Sequence, residues 1–547
     1  MSHQPPEPPV YFDPSAAGGP APAQNPRSPL LLGVLVGVLV FALVCAGFAG
    51  WKLFGGNDDD PVSSGPAATR TPSAKPTGPL PSTDPALAAY YDQKLSWKKC
   101  DDNLCATMKV PLDYTKPAGP SIGIAVLKVP AAKPGERVGS LVVNPGGPGG
   151  SGVQFASAGA KQFGSALADH FDIVGFDPRG VGKSDPLRCV GTAQLDTLLG
   201  FDPDPDTAAE RAEMDRLVKG FGDGCLNESG DLTGHVSTKE AARDMDVLRA
   251  VLGEAKLDYL GSSYGTFLGA TYAEEFPTHV GRFVLDGAID PSLSSEEQSL
   301  EQAHGFETAL RAYVKDCVDR GGCFLGRTVD EGTAKIRTFL DAVEKKALPT
   351  GSSRELTEGW ATLGVWLPLY VKDYWPYLTD ALKSAMDNGN GALLLTLADA
   401  YASRGPSGYT DNSMEALYAV NCLDHDDWIP TKDVPSHFAQ FLKASPTFGK
   451  AFAFSLSTCS QWPVQSGERS TALHAVGAPP IVVVGTTRDP ATPLVWARAL
   501  AKQLESGQLI TRDGDGHTGF HKGNSCVDDA VEGWLIDGKD PKPDLMC

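Results

Sequence analysis

The sequence lacks the surplus of basic residues that a chain binding nucleic acid needs. Its 47 Lys and Arg residues are set against 67 Asp and Glu residues, which gives a formal charge of −20 at pH 7, and no basic cluster offsets that charge. A phosphate backbone is repelled by such a chain. We therefore expect no nucleic-acid partner, and we interpret the acidity as a source of solubility outside the cell.

The sequence also lacks complete motifs for common cofactors and metals. No two C-x-x-C units occur, which disfavours a zinc site. Residues 147–152 fit G-x-G-x-x-G, but prolines lie nearby and no helix-like sequence follows. Residues 180–184 resemble a phosphate loop, yet Asp177 stands where its first glycine should be. We expect no cofactor and no metal.

Charged residues are absent from residues 28–51, and almost every residue of 30–50 is apolar. At 1.5 Å per residue this run can cross a hydrocarbon core of about 30 Å. It is longer than the apolar region of about 7 to 15 residues in a cleaved signal peptide, so we favour a membrane anchor at 29–51 over a cleaved signal. Residues 1–28, rich in Pro, Ala and Gly, are predicted to be disordered, and 52–94 to be a linker.

The cysteines indicate disulfide bonds. Apart from Cys45 in the apolar run, they are even in number and close neighbours in sequence: Cys100 with Cys105, Cys189 with Cys225, Cys317 with Cys323, Cys422 with Cys459, and Cys526 with Cys547. Sequence does not fix the connectivity, but sequential pairing needs no long crossing. Disulfides form in oxidising compartments. We expect a single-pass protein of the cell membrane whose folded part is extracytoplasmic, or a secreted one if the N-terminal segment is cleaved.

A candidate nucleophile lies within residues 257–277. A short β-type run enters Gly261-Ser262-Ser263-Tyr264-Gly265, which is G-x-S-x-G, and a helix of small residues follows. A nucleophilic serine at the tip of a strained strand-to-helix turn leaves no room for side chains at the flanking glycines. We interpret Ser263 as the nucleophile.

Residues 144–152 end a buried-strand pattern with Gly or Pro at seven of nine positions. Such a loop exposes backbone N–H groups, as an oxyanion hole requires. The N–H groups of Gly147 and Tyr264 are the candidate donors.

Two more residues complete a hydrolytic triad. The apolar strand 481–488 delivers Asp489, and one further strand leads to His517 in a glycine-rich loop. The order Ser263, Asp489, His517 is that of the α/β-hydrolases, in which the histidine takes the serine proton and the aspartate orients the ring. Asp286 is the alternative acid and His521 the alternative base.

The strand and helix patterns predict an α/β-hydrolase core made of residues 95–290 and 466–547. A mostly helical cap, residues 291–465, is inserted after the sixth core strand. Helices are predicted at 238–252 in the core and, in the cap, at 297–317, 330–346 and 374–386.

These motifs together resemble those of the tripeptidyl aminopeptidase and proline iminopeptidase-like α/β-hydrolases, particularly secreted or membrane-attached actinobacterial members. The resemblance runs from about Trp97 to the C-terminus and rests on residues 144–152, 176–184, 261–265, 489–493 and 516–518.

The resemblance implies a serine exopeptidase that forms an acyl-enzyme and releases short peptides from the free N-termini of peptides or proteins. It also implies that the cap binds the terminal amine, and Asp424 and Glu415 are our candidates for that contact. An esterase or lipase that uses the same triad remains an alternative, because this fold hosts many chemistries. A non-catalytic surface protein on a hydrolase scaffold is the third possibility.

Overall fold

A computed structural model describes residues 85–464 and 471–547. The predicted disordered tail, the predicted membrane span at 29–51 and most of the predicted linker lie outside these residues. Within them, no helix has the length and apolar character needed to cross a bilayer. The linker prediction extends too far, because Ala88–Tyr91 is already helical and the hydroxyl of Tyr91 donates to Asp246 Oδ2 at 2.9 Å.

One sheet of ten strands forms the centre of the described chain. Its strands are β1 Lys98–Cys100, β2 Asn103–Pro111, β3 Ser121–Val129, β4 Gly139–Asn144, β5 Phe171–Phe176, β6 Leu257–Ser262, β7 Val280–Asp286, β8 Ile481–Arg488, β9 Gly507–Asp515 and β10 Leu545–Met546. The spatial order is β1-β2-β3-β5-β4-β6-β7-β8-β9-β10. Strands β1 to β3 pair antiparallel, as do β3 and β5, and every pairing from β5 onward is parallel.

The parallel strands read as apolar runs because helices cover both faces of the sheet. All six residues of β4 and the first six of β8 are buried. Strand β1 only forms a short hairpin with β2 at the edge of the sheet. If it is not counted as a core strand, β7 is the sixth strand of the core. This is the α/β-hydrolase fold predicted from the sequence.

Helices of the core lie before β7 and after β8. They are α1 Ala88–Tyr91, α2 Gly152–Ser157, α3 Ala160–His170, α4 Thr192–Leu199, α5 Ala208–Ser229, α6 Thr238–Leu252 and α7 Tyr264–Glu275, followed late in the chain by Leu494–Gln503 and Ser525–Glu532. The predicted helix at 238–252 is confirmed. Its start is fixed by Ser237, whose side chain accepts from the Glu240 N–H.

The described chain between β7 and β8, here the helical insertion, contains eight α-helices joined by loops, short 3-10 turns and two strands of two residues each. The helices are α8 Ser295–Asp319, α9 Val329–Lys345, α10 Glu358–Leu369, α11 Trp375–Asn388, α12 Ala392–Tyr401, α13 Ser413–Asp424, α14 Phe438–Ala444 and α15 Gly449–Ser455. The three helices predicted for this segment correspond to α8, α9 and α11, with ends that differ by at most two residues.

Five disulfides join the cysteines in sequential pairs, a connectivity that the sequence alone left open. The Cys422–Cys459 bond ties α13 to the chain that follows α15. The Cys189–Cys225 bond fastens α5 to the segment before α4. A crosslink of this kind restricts the unfolded chain and so favours the folded one.

Candidate active site

Ser263 occupies a sharp turn between β6 and α7. Its φ of 57° and ψ of −127° fall where residues other than glycine are rarely found. The Ser263 N–H donates to the Asp286 carbonyl at 2.9 Å, and its own carbonyl accepts from the Thr266 N–H at 2.8 Å. A Cβ on Gly261 would lie 2.4 Å from the Gly265 carbonyl oxygen. The G-x-S-x-G spacing therefore reflects a real lack of space around the serine.

The glycine-rich loop after β4 lies directly against this turn. A Cβ on Gly146 would lie 2.8 Å from the Cβ of Ser263 and 2.9 Å from the nitrogen of Tyr264. Gly147 follows with a φ of 116°. Gly147, Ser263 and Tyr264 line one cavity. The two candidate oxyanion donors thus belong to residues that border the same space as the serine.

The His517 ring is held by Asp489. Its Nδ1 lies 2.8 Å from Oδ1 and 2.9 Å from Oδ2 of the carboxylate, which is 2% exposed. Oδ1 also accepts from the N–H groups of Ala491 and Thr492, and Oδ2 from the Thr518 N–H and the Thr492 hydroxyl. These bonds fix the carboxylate and with it the ring. The opposite ring nitrogen, Nε2, is buried without a hydrogen-bond partner among the described residues.

The stretch Asp286-Gly287 at the end of β7 brings the serine and the histidine together. The Asp286 carbonyl accepts from the Ser263 N–H, and a Cβ on Gly287 would lie 3.4 Å from Cε1 of His517. Ser263 and Thr492, which contacts the Asp489 carboxylate, both line the cavity. Ser263 and the His517–Asp489 pair therefore both lie beside the end of β7, at the carboxyl-end edge of the parallel strands.

The alternative acid bonds to other groups, and the alternative base, whose buried Nε2 also has no hydrogen-bond partner among the described residues, packs on other elements. The Asp286 carboxylate accepts from the N–H groups of Gly519 and Phe520 at 2.7 and 3.0 Å, and burial raises its pKa. It fastens the loop that carries His517 and does not bond the ring. A Cβ on Gly164 in α3 would lie 2.7 Å from Nε2 of His521, and that ring also faces Glu532. His521 thus packs between α3 and the helix Ser525–Glu532.

The helical insertion also supports the histidine, which the sequence did not reveal. The Tyr370 carbonyl accepts from the His517 N–H at 2.8 Å, and the two rings meet edge to face with centroids 5.4 Å apart. Burial raises the pKa of the Tyr370 hydroxyl well above its usual range. The signal present in the sequence was the run of aromatic residues around this tyrosine.

The cavity beside Ser263 has a volume of about 270 Å³. The insertion contributes an aromatic wall of Phe306, Trp366, Tyr370, Tyr401, Tyr418, Trp428 and Phe452. A second cavity of about 290 Å³ shares Trp366, Tyr401, Tyr418 and Phe452 with it. The insertion therefore lines two adjoining cavities, one of them beside the serine.

Asp424 and Glu415 do not line either cavity, so our choice of them as amine ligands is corrected. Asp424 accepts from the Thr238 N–H at 2.9 Å and hydroxyl at 2.6 Å at the start of α6. Glu415 accepts from the N–H groups of Cys189 and Val190, and burial raises its pKa. Both carboxylates join α13 to the core. The carboxylate that does line the Ser263 cavity is Asp290, which the sequence did not single out.

Comparison with known proteins places this arrangement in a family. Residues 445–547 match the profile of a family described as TAP-like protein. The chain is 37% identical over 481 residues to the serine protease Hip1 of Mycobacterium tuberculosis, covering 83% of this chain and 91% of that one. The chain belongs to the tripeptidyl aminopeptidase-like family of α/β-hydrolases. This confirms the resemblance inferred from the motifs.

Two further relatives carry different names. A tripeptidyl aminopeptidase of Streptomyces lividans is 32% identical over 474 residues, covering 83% of this chain and 86% of that one. Carboxylesterase B of Mycobacterium tuberculosis is 36% identical over 504 residues, covering 88% of this chain and 93% of that one. As a member of this tripeptidyl aminopeptidase-like family, the protein is a serine hydrolase.

Proposed function

We propose that this protein is a serine exopeptidase that releases short peptides from free N-termini, with Ser263, His517 and Asp489 as its triad. The observation that carries the proposal is the unpaired, buried Nε2 of a histidine whose Nδ1 is held by Asp489, beside the strained turn of Ser263. Relatives named serine protease and tripeptidyl aminopeptidase support a peptide substrate.

The chemistry follows from these positions. The Ser263 hydroxyl attacks the scissile carbonyl while His517 Nε2 takes its proton, and Asp489 stabilises the imidazolium that forms. The N–H groups of Gly147 and Tyr264 stabilise the oxyanion of the tetrahedral intermediate. His517 then gives the proton to the leaving amine, which departs and leaves an acyl-enzyme. Water, deprotonated by His517, hydrolyses that ester and restores Ser263.

An exopeptidase needs a group that recognises the terminal amine, and we assign this role to Asp290. It lines the Ser263 cavity and is 7% exposed. Its three hydrogen bonds, from the N–H and hydroxyl of Ser292 and from Gln503 Nε2, all end on Oδ1. Oδ2 is thereby left to pair with an ammonium group, and such charge-assisted bonds are strong in a dry site.

The extracytoplasmic location is also part of the proposal. Five disulfides support an oxidising compartment. The apolar segment 29–51 would hold the protein in the cell membrane, and its cleavage would release a secreted enzyme. Fractionation of cells that express the full chain, with N-terminal sequencing of the product, distinguishes these two forms.

Substrates with free and blocked N-termini test the exopeptidase. We expect hydrolysis of a tripeptide amide, loss of hydrolysis when its N-terminus is acetylated, and no turnover by Ser263→Ala. In Asp290→Asn we expect KM to rise about tenfold or more for the free peptide while kcat changes little, because a desolvated charge pair is removed. Equal rates on free and acetylated peptides contradict the exopeptidase.

The second candidate is an esterase on the same triad. The carboxylesterase B relative and the apolar character of the aromatic wall favour it. Short acyl esters hydrolysed much faster than any peptide amide support that function. Failure of Ser263 in the folded protein to react with a fluorophosphonate probe indicates a non-catalytic surface protein instead.

A further inference from the structure

A cluster of three carboxylates lies outside the triad, where the segment between α4 and α5 meets the first residue of α10. Asp202 and Asp204 come from the segment, and Glu358 from the helix. One oxygen of each lies within 4.8 Å of the others. Asp204 is 5% exposed and Glu358 is 2% exposed. Three acids at this spacing repel one another strongly unless a cation or protons neutralise them.

The cations of the protein only partly balance this cluster. Arg337 donates from Nη2 to Glu358 Oε1 at 2.6 Å, and its Nη1 lies 3.4 Å from Asp204 Oδ2. Lys450 bonds to the neighbouring Asp206. The carboxylates around Asp202, Asp204 and Glu358 therefore outnumber the cationic side chains that bond to them.

One oxygen in the cluster is left without a partner. Glu358 Oε2 is buried and has no hydrogen bond within the described parts of the chain. A buried carboxylate oxygen normally accepts at least one bond, because its hydration is lost without replacement otherwise. This unpaired atom is separate from the acid spacing and points to a ligand that donates positive charge.

We propose that Asp202, Asp204 and Glu358 bind a divalent cation, with Ca²⁺ as the ion that fits. Calcium takes carboxylate oxygens at about 2.3 to 2.6 Å, so two ligands on opposite sides of the ion are about 4.8 Å apart. The separations in this cluster all lie within that limit. The expectation of no metal rested on cysteine spacing and concerned zinc, whereas this site offers hard oxygen ligands only.

A cation here would join the core segment to the helical insertion beside the second cavity. Asp202 lines that cavity together with Phe201 and Pro203. The two chains already approach closely, since a Cβ on Gly359 would lie 2.3 Å from the Phe201 carbonyl oxygen and the Thr357 hydroxyl donates to the Gly200 carbonyl. An ion that binds only the folded chain stabilises it, and here it would hold together the two segments that border the second cavity. The inference concerns a separate site and does not depend on the proposed peptidase activity.

Calorimetric titration of the chelator-treated full chain with CaCl2 tests the site. We expect one ion bound per chain and a higher melting temperature with calcium. Tb³⁺ offers a second readout, because Trp360 lies two residues from Glu358 and can sensitise its luminescence. Glu358→Gln and Asp204→Asn should each weaken binding about tenfold or more. The control is Glu355→Gln, which removes the same charge from an exposed position three residues away.

Circular dichroism establishes whether each variant is folded. If Glu358→Gln does not fold, Asp202→Asn, which changes the half-exposed ligand, takes its place in the binding test. Absence of calcium binding to the wild-type chain overturns the proposal. Equal weakening by Glu355→Gln also overturns it, since binding would then follow net charge. If calcium leaves the wild-type melting temperature unchanged while Glu358→Gln raises it, the cluster holds protons and not a metal.

Discussion

Replacement of Asp489 by Asn tests the mechanism most directly. In the wild type, Oδ1 accepts from the N–H groups of Ala491 and Thr492, and Oδ2 accepts from the Thr518 N–H and the Thr492 hydroxyl. An Asn keeps the Oδ1 contacts if its amide nitrogen takes the Oδ2 position. The amide nitrogen then faces the Thr518 N–H. The same nitrogen donates a hydrogen bond to His517 Nδ1, whereas the wild-type carboxylate accepts one from it.

Two magnitudes follow from this geometry. Because the amide nitrogen and the Thr518 N–H are both donors, the buried Thr518 N–H has no acceptor, which should lower the free energy of unfolding by about 1 to 3 kcal/mol. The donation to Nδ1 forces the proton onto Nε2, so the histidine can no longer accept from Ser263. Loss of the correct tautomer in a serine triad costs about 10⁴ in kcat, which corresponds to about 5.4 kcal/mol of transition-state stabilisation.

Steady-state kinetics on a free tripeptide amide and a thermal melt measure these two effects. We expect kcat to fall while KM changes little, because Asp489 is not expected to touch the substrate. The control is Asp223→Asn, an exposed aspartate on α5 paired with Lys219, which should alter neither value. Retention of kcat within tenfold of wild type by folded Asp489→Asn refutes the assignment, and loss of activity in Asp286→Asn alone would move the acid to the preceding strand.

Two further predictions concern positions outside the triad. Tyr370→Leu should lower kcat by about threefold to tenfold, because an edge-to-face ring contact contributes about 0.5 to 1.5 kcal/mol, whereas Tyr370→Phe should keep most of the activity; equal losses in both variants would implicate the hydroxyl instead. Burial alone would raise the pKa of Asp246, but hydrogen bonds from His279 and Arg249 outweigh it and lower the pKa to about 2. The lowered pKa contributes about 2 kcal/mol to the free energy of unfolding, which should be present above the unfolded pKa near 4 and be lost as pH falls towards 2. Urea titrations at several pH values in that range should show that the free energy of unfolding depends less on pH in Asp246→Asn than in the wild type.

The sequence was sufficient for those parts of the site that depend on local backbone requirements. The tight turn at Ser263 was predictable because Gly261 and Gly265, which have no space for a Cβ, lie close to it in the sequence. The contact between Asp489 and His517 was predictable because the carboxyl ends of parallel strands meet at one edge of a sheet. The presence of disulfides was predictable from the even number of cysteines other than Cys45, whereas their connectivity was not fixed by the sequence.

The assignment of Asp424 and Glu415 failed for a different reason. Their carboxylates are occupied by Thr238 and by the backbone of Cys189 and Val190, which lie far away in sequence. Nothing adjacent to an acidic residue reveals which distant donor will reach it. The same limit hid Tyr370, whose contact with His517 exists only once the insertion has folded onto the core.

The bond from the His517 N–H to the Tyr370 carbonyl has a consequence for engineering. Exchange of the insertion between relatives, as a route to new substrate preference, would disturb His517, the proposed general base, along with the pocket, because the His517 N–H donates to a carbonyl of the exchanged segment. A graft that preserves the turn after α10 should keep turnover, whereas one that alters this turn should lose rate on every substrate alike.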